Sequence, residues 1–507
     1  MSKTAQLIFG PPGCGKTHTL MEIIRKELEG GTPPDRIAFV SFSRKAIHEA
    51  RARAGKEFSL QEKDTPYFRT LHSMGFRFLG MRKEEVINAY DLKQIGLEMG
   101  MVFDNSEVYD EDGVMRMSAK EGNKYLTLIN RAKMRMVSLG QEFNENADYN
   151  MHWELLDKLD RVYASYKKET GKHDFTDMIE MMVNKGQGPS IDVLIVDEAQ
   201  DLTPLQWEQV KVLGKSAKRI WYAGDDDQAI FRYTGVDVSH MLGITDNIRV
   251  LEQSYRIPRS VHTLSVQIAK RISKRQPKLW NPTTHEGMIN YHMSVDEIDM
   301  SQGSWTIMSR TTNALNTLGE QLRQEGILFS KNGYLSFDRD LLEAMHVWEQ
   351  LQSGGLITVE EAQTLYSVLP KRGENARVRH GMTKKLQEID PTRPLSLDNL
   401  VQECGLLAGA HMRPEDVVNL SKDDDRYLQA IKRRGEISAE PAVKLSTIHR
   451  MKGGEDQNIV LLSDMGYLPY KTLQDNPDDE HRVFYTAVTR TKENLHIVDT
   501  GRYKYPL

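Results

Sequence analysis

The 507-residue chain holds only two cysteines, Cys14 and Cys404. That number builds neither a disulfide framework nor a four-cysteine metal centre, and a reducing cytoplasm is the expected compartment. No unbroken run approaches the roughly 18 to 20 apolar residues that a membrane span requires, so no membrane association is expected. The apolar run before Gly10 is too short and too abruptly ended to act as an export signal. An excess of one charge is also missing: 67 Lys and Arg stand against 72 Asp and Glu, a net charge of −5. Global electrostatics therefore select no partner, and any nucleic-acid binding must come from local surfaces. Repeats of solenoid period and long low-complexity tracts are lacking too, which excludes repeat architectures. What the chain does have is 39% apolar and 27% charged residues over a length that calls for several cores.

Short, branched or aromatic runs predict buried strands at Ala5–Phe9, Arg36–Ser41, Ile191–Val196, Arg219–Ala223, Trp305–Met308, Val443–Thr447, Asn458–Leu462 and Leu495–Val498. Helical stretches alternate with them, the pattern of parallel sheets covered by helices. Two α/β domains are expected, each with a mainly helical insertion rich in Met, Leu, Glu, Lys and Arg. The boundaries place the first at 1–79 and 169–250 with its insertion at 80–168. The second takes 251–330 and 441–507, with a reduced insertion at 331–440. Residues 471–480 read as a polar, acidic loop before a last helix.

Gly10-Pro11-Pro12-Gly13-Cys14-Gly15-Lys16-Thr17 matches G-x-x-x-x-G-K-[ST], after a strand and at the opening of a helix expected over Lys16–Leu28. Glycines there let backbone N–H groups surround phosphate oxygens at a helix N-terminus. Lys16 would reach the β- and γ-phosphates, and Thr17 would ligate magnesium. A tight turn without nucleotide is the bland alternative, and a P-loop by itself also serves small-molecule kinases. Asp197-Glu198 closes the run from Ile191, at the strand end where α/β sheets bind ligands. Asp197 suits a magnesium ligand, and Glu198 suits a base that aligns the attacking water.

With these residues the chain resembles superfamily 1 helicases of the UvrD, Rep and PcrA type, whose motifs follow in order along nearly its whole length. Asp197-Glu198-Ala199-Gln200-Asp201 looks like motif II, and Gly224-Asp225-Asp226-Asp227-Gln228-Ala229-Ile230-Phe231 like motif III. Gln253-Ser254-Tyr255-Arg256 resembles motif IV, Thr447 to Glu455 motif V, and Phe484 to Arg490 motif VI. The resemblance implies two RecA-like P-loop domains, parallel sheets flanked by helices, with ATP and Mg2+ in the cleft between them. It implies that Gln228 senses the γ-phosphate, Tyr255 stacks on adenine and Glu455 contacts the ribose. Arg256 and Arg490 would reach the γ-phosphate from the second domain, making hydrolysis conditional on closure. His18, just past the P-loop, belongs to the implied nucleotide site.

The same resemblance implies a single-stranded DNA track of aromatic platforms and basic contacts. Ser41 to Ala46 is similar to motif Ia, which nominates Phe42 and Arg44, and Arg69 to Ser73 is similar to motif Ib, which nominates His72. Phe231 and Tyr233 stand where the family carries stacking rings, and His449 matches its motif V histidine. Basic clusters at Arg131–Arg135, Lys270–Lys278, Lys371–Lys385 and Lys432–Arg434 would supply phosphate contacts or simply be solvated helix faces.

Three departures from the family are visible. Tyr233-Thr234 replaces Trp-Arg, keeping a stack and losing a cation. Gly454-Glu455-Asp456 replaces Leu-Glu-Phe, softening the packing of motif V. The family's upstream glutamine motif is missing, so relaxed selectivity for ATP is expected. A compact, phage-encoded member would have this form. The expected activity is an ATP-dependent DNA helicase moving 3′ to 5′ on single-stranded DNA and at duplex junctions, with replication or repair proteins as partners. The alternative is an ATP-switched remodeller that strips proteins from DNA and barely unwinds.

Overall fold

The computed structural model describes residues 4–104, 120–148, 150–435 and 440–507. Two sheets organise it. The first contains β1 (Thr4–Phe9), β2 (Ile37–Ser41), β3 (Phe68–Thr70), β4 (Val193–Asp197), β5 (Arg219–Gly224) and β6 (Ile248–Val250), in the order β3-β2-β4-β5-β1-β6. All its pairings are parallel. β2 and β4 are buried along their whole length, as their unbroken apolar runs require of strands covered on both faces. In register, Phe9 lies beside Gly224 and Ser41 beside Asp197. The C-terminal ends of four neighbouring strands therefore deliver the P-loop, Phe42, Glu198 and Asp225 to one edge, where such sheets bind ligands.

The second sheet contains β7 (Met288–His292), β8 (Trp305–Ser309), β9 (Phe329–Lys331), β10 (Tyr334–Leu335), β11 (Val443–Thr447), β12 (Asp456–Leu462) and β13 (Thr491–Val498), ordered β10-β9-β11-β8-β12-β13-β7. Only the β9–β10 hairpin is antiparallel. Residues 448–455 carry the chain from the end of β11 back to the start of β12, and Asp456 pairs with Thr491. Glu455 and Arg490 thus precede two adjacent strands, side by side. One apolar cluster, including Ile8, Ile24, Ile257, Leu264, Phe484, Val488 and Ile459, runs beneath both sheets and joins the two lobes.

The stretch expected as the first insertion carries helices Ala89–Met99, Glu121–Arg135, Leu139–Asn146 and Trp153–Thr170 around a core of its own that includes Leu92, Ile95, Tyr125, Ile129, Leu156 and Leu159. Residues 105–119 of that stretch lie outside the described residues. The second stretch is less helical than expected. It opens on the β9–β10 hairpin, and between helices Val359–Val368 and Leu397–Gln402 its only regular piece is a 3-10 turn, Met382–Gln387. Pro370, Gly373, Gly381, Pro391 and Pro394 interrupt helix formation there. Its core, with Trp348, Leu365, Tyr366 and Leu428, is separate again.

Residues 471–480 are not a loop. Helix Tyr467–Asp475 runs to Asn476, and Pro477 starts helix Pro477–Val488 at its first position. Asp478, Asp479 and Glu480 fill that helix's first turn, where carboxylates oppose the positive end of the dipole.

Candidate active site

The P-loop leaves β1 and turns at Gly13 (φ 73°) and Gly15 (φ 74°), both left-handed, before helix Lys16–Glu29 begins. The glycines are also needed for space. A Cβ at Gly10 would lie 1.9 Å from Lys16 Cγ, and one at Gly13 only 2.4 Å from Arg256 Cβ and 2.8 Å from Ser254 Oγ. Segment 251–257, which passes from one lobe to the other, is bonded directly to this loop. Tyr255 N donates to Gly13 O (2.9 Å), Ser254 Oγ to Pro12 O (2.7 Å) and Leu251 N to Phe9 O (2.8 Å).

Lys16 Nζ lies 3.7 Å from Glu198 Oε1. Burial opposes its charge, but Glu198, Asp197 and Asp225 together hold its pKa above the ordinary value. The two carboxyls behave oppositely. Burial and the charge of Glu198 push Asp197 up, whereas Lys16, Lys452 and Arg490 hold Glu198 down against the cost of burial. Glu198 has a left-handed backbone (φ 51°), a strained choice for a side chain with a Cβ, and it marks the turn that aims the carboxylate into the cleft. Gln200 is hydrogen-bonded to Glu198, donates to Asp201 Oδ2 (3.1 Å) and accepts from Asp225 N (3.0 Å).

The opposite wall is cationic. Arg490 is 2% exposed; its Nε donates to Thr486 O (2.9 Å), and its Nη2 donates to Gln228 Oε1 (2.6 Å). Burial, then the adjacent Arg256, lowers its pKa to about 9, and its charge is felt at Lys16, so the two guanidinium groups share the cleft under mutual repulsion that an anion would relieve. Arg256 pairs with Glu455, which also takes Lys492 Nζ at 2.7 Å, while Arg256 Nε is buried without a partner. Tyr255 stands 77% exposed, its Cε2 3.9 Å from where a Gly15 Cβ would be. Thr17 is half-buried and His18 exposed on the helix's first turn. A glycine-lined cradle, an orphan guanidinium nitrogen and a lysine between two carboxylates fit a nucleoside triphosphate, and Thr17 with Asp197 supplies the hard oxygen donors suited to Mg2+.

A second group of side chains gathers on the other side of Gln228. The Phe42 and Phe231 rings lie 5.6 Å apart, Phe231 and Tyr233 6.2 Å, and Tyr233 and His449 5.8 Å. Burial, with Arg310 and Lys452 nearby, lowers the His449 pKa to about 3 and keeps the imidazole neutral. Tyr233 is 37% exposed and Arg44 is exposed. Phe42 and His72 differ from the sequence expectation of open nucleic-acid contacts. Both are 6% exposed: Phe42 belongs to the core around β2, and His72 packs edge-on against Phe175 at 5.9 Å. Neither offers a face to a strand in this conformation, because helix Phe175–Lys185 and Phe231 cover them.

Several residues without an assigned role in the sequence reading connect these groups. Lys452 Nζ donates to Asp201 Oδ1 (2.7 Å) and Gln228 O (2.7 Å) and sits 4.9 Å from the Phe231 ring centre, so it touches both halves. Lys45 Nζ reaches Gly453 O across the cleft at 3.1 Å. Two basic clusters are partly taken up by ion pairs inside the fold, although Lys270, Arg271 and Lys274 of the second remain exposed. Arg131 and Arg135 both pair with the fully buried Glu142, and Lys133 Nζ lies 3.0 Å from Asp177. Lys278 is buried among Asp225, Asp226 and Asp227, and Arg275 grips Asp227. The centre of that carboxylate cluster is taken by an ammonium rather than left for a metal.

Comparison with known proteins agrees with this geometry. The model of the UvrD/REP helicase N-terminal domain matches residues 1–249, and that of the UvrD-like helicase C-terminal domain matches residues 413–501. The ATP-dependent DNA helicase PcrA of Staphylococcus aureus (strain Mu50 / ATCC 700699) is 26% identical over 324 residues, and that of Staphylococcus epidermidis (strain ATCC 12228 / FDA PCI 1200) is 25% identical. Each match covers 58% of this chain and 42% of the relative, so the chain spans under half the length of these relatives. Among the described residues, no helix is long and apolar enough to cross a membrane. Matched by both helicase domain models around a cleft of this make, the chain belongs to the superfamily 1 helicases of the UvrD/Rep/PcrA type.

Proposed function

We propose that this chain hydrolyses ATP in the cleft and uses the cycle to move 3′ to 5′ along single-stranded DNA, separating strands at duplex junctions. The observation that carries the reading is the convergence on one P-loop of Lys16 and Glu198 from the first lobe with Arg256 and Arg490 from the second. The division 1–79 with 169–250 against 251–330 with 441–507 is proposed as the pair of moving units, with 80–168 and 331–440 as their insertions.

Glu198 suits the base because Lys16, Lys452 and Arg490 favour its charged form. Its carboxylate would take the proton of the attacking water as the water approaches the γ-phosphorus. Mg2+ held by Thr17 and Asp197 would neutralise the β- and γ-phosphate oxygens. Lys16 and Arg256 are each parked on a carboxylate, Glu198 and Glu455 respectively. A polyphosphate would draw both cations off, freeing Glu198 for water and Glu455 for the ribose. Arg490 stabilises the charge that spreads over the transferring group. Tyr255 offers a stacking face to the base, which tolerates purines other than adenine. On the other side, Tyr233 and His449 would contact the strand, with Lys452 bonded to both groups. The polarity, the replication or repair partners and the preference for DNA are taken from the family.

Unwinding of DNA and RNA duplexes carrying 3′ or 5′ tails, beside single-strand-stimulated ATPase, tests the reading. Expected are unwinding from 3′-tailed DNA and a Glu198→Gln variant that binds ATP without turnover. Hydrolysis with no strand separation on any substrate would favour the protein-stripping remodeller instead.

A further inference from the structure

Lys278 lies on the loop after helix Arg259–Ala269, a loop fixed to the second lobe by the bonds of Ser273 and Lys274 to Asp478. Its side chain is fully buried, with Nζ 3.0 Å from Asp225 Oδ1, 2.9 Å from Asp227 Oδ2, paired to Asp226 and 5.3 Å from the Phe9 ring centre. Asp226 and Asp227 have other strong partners: Gln276 N donates to Asp226 Oδ2 (2.7 Å), and Arg275 makes a two-pronged contact with Asp227 (2.7 and 2.6 Å). Asp225 differs. Its second oxygen, Oδ2, accepts from Gln228 Nε2 at 2.6 Å, and the far end of that amide, Oε1, accepts from Arg490 Nη2 at 2.6 Å. A glutamine amide has a donor end and an acceptor end, and which way it points is decided by its neighbours. An ionised carboxylate on one side demands the NH2 group, leaving the carbonyl oxygen for the arginine. A rotated Asp225 would permit the reverse, setting an NH2 group against a guanidinium.

We propose that Lys278 is a positioning residue for hydrolysis: by compensating the buried charge of Asp225 it fixes the sense of the Gln228 amide, which in turn holds Arg490 at the cleft. This rests on the ATPase reading above. The relay runs Lys278, Asp225, Gln228, Arg490, and it begins and ends on the second lobe while passing through the first.

The test is steady-state ATPase of the full chain with a single-stranded oligonucleotide, for wild type, Lys278→Met, Gln228→Ala and the double variant. Lys278→Met is expected to lower kcat on the order of 10- to 100-fold, the scale of losing one oriented contact to developing charge, with KM for ATP little changed. The double variant should be no slower than Gln228→Ala alone, because both substitutions break the same relay. Losses that multiply, or a Lys278→Met kcat within about twofold of wild type, would overturn the proposal. If Lys278→Met does not fold, Asp226→Asn with Lys278→Met removes one of the stranded negative charges. A still-slow kcat in that protein supports the relay, and recovery to the wild-type value overturns it by showing that the contact of Lys278 with Asp225 is dispensable once the charge of Asp226 is gone. A wild type without ATPase activity defeats the preceding reading, whereas an active wild type beside an unaffected Lys278→Met defeats this inference alone.

Discussion

The two lobes are built from similar sheets yet present opposite ends of their strands to the cleft. The first offers C-terminal strand ends and the start of helix Lys16–Glu29, which supply backbone N–H groups and the positive end of a helix dipole. The second offers the segments entering β12 and β13, where Arg490 folds back on the last carbonyls of helix Pro477–Val488. One wall would receive an anion with the backbone, and the other presents Arg490, which a negative helix end helps to hold, beside Arg256. The walls are therefore not redundant. Losing a side chain from the arginine wall should damage turnover more than binding, since the P-loop cradle remains.

Arg490→Ala tests that division most severely. Turnover should fall on the order of 10³-fold, with binding of a non-hydrolysable analogue largely kept. A loss of only a few-fold would make the arginine wall structural. The comparison sharpens on the other side of Gln228. Tyr233→Ala should weaken single-strand binding by about 1 to 3 kcal/mol in a fluorescence titration, as expected of a stacking ring. Phe42→Leu should cost stability instead, because Phe42 is a core side chain here. Equal losses of affinity would show that the strand opens the Phe42 pocket.

A smaller effect separates His72 from the strand altogether. Burial, with Arg44 nearby, lowers its pKa from 6.5 to about 4. Above pH 6.5 both folded and unfolded chains hold it neutral, so it adds no pH dependence. As pH falls below 6.5 the unfolded chain gains the proton first, and stability declines until the folded state titrates. Urea midpoints should show about 1 to 2 kcal/mol of this loss between pH 6.5 and 5, absent from His72→Phe. An unchanged acid limb in the variant would assign that loss to other groups.

The nucleotide side was legible because its chemistry is written in local spacing. Gly10 to Thr17, Asp197-Glu198 and the two arginines each sit in short strings whose context after a strand or beside a turn is readable. Strands β3, β6, β7, β9 and β10 were not foreseen: β3, β6, β9 and β10 are two or three residues long and carry no period, and β7 is a sheet-edge strand with no fully buried residue to mark it. The basic clusters misled for a different reason. Sequence shows Arg131, Arg135, Arg275 and Lys278 as charge, and only the fold brings Glu142 and three aspartates onto them. Exposure of Phe42 and His72 was equally hidden, because covering groups come from residues 175 and 231, far along the chain.

Gly13 carries a requirement that its own loop does not explain. The gap left by its missing side chain is filled from across the cleft by Arg256 and Ser254. A single methyl at this position would act as a doorstop, prising the walls apart before any nucleotide arrived. The smallest residue in the P-loop thus sets how closely the far lobe can approach.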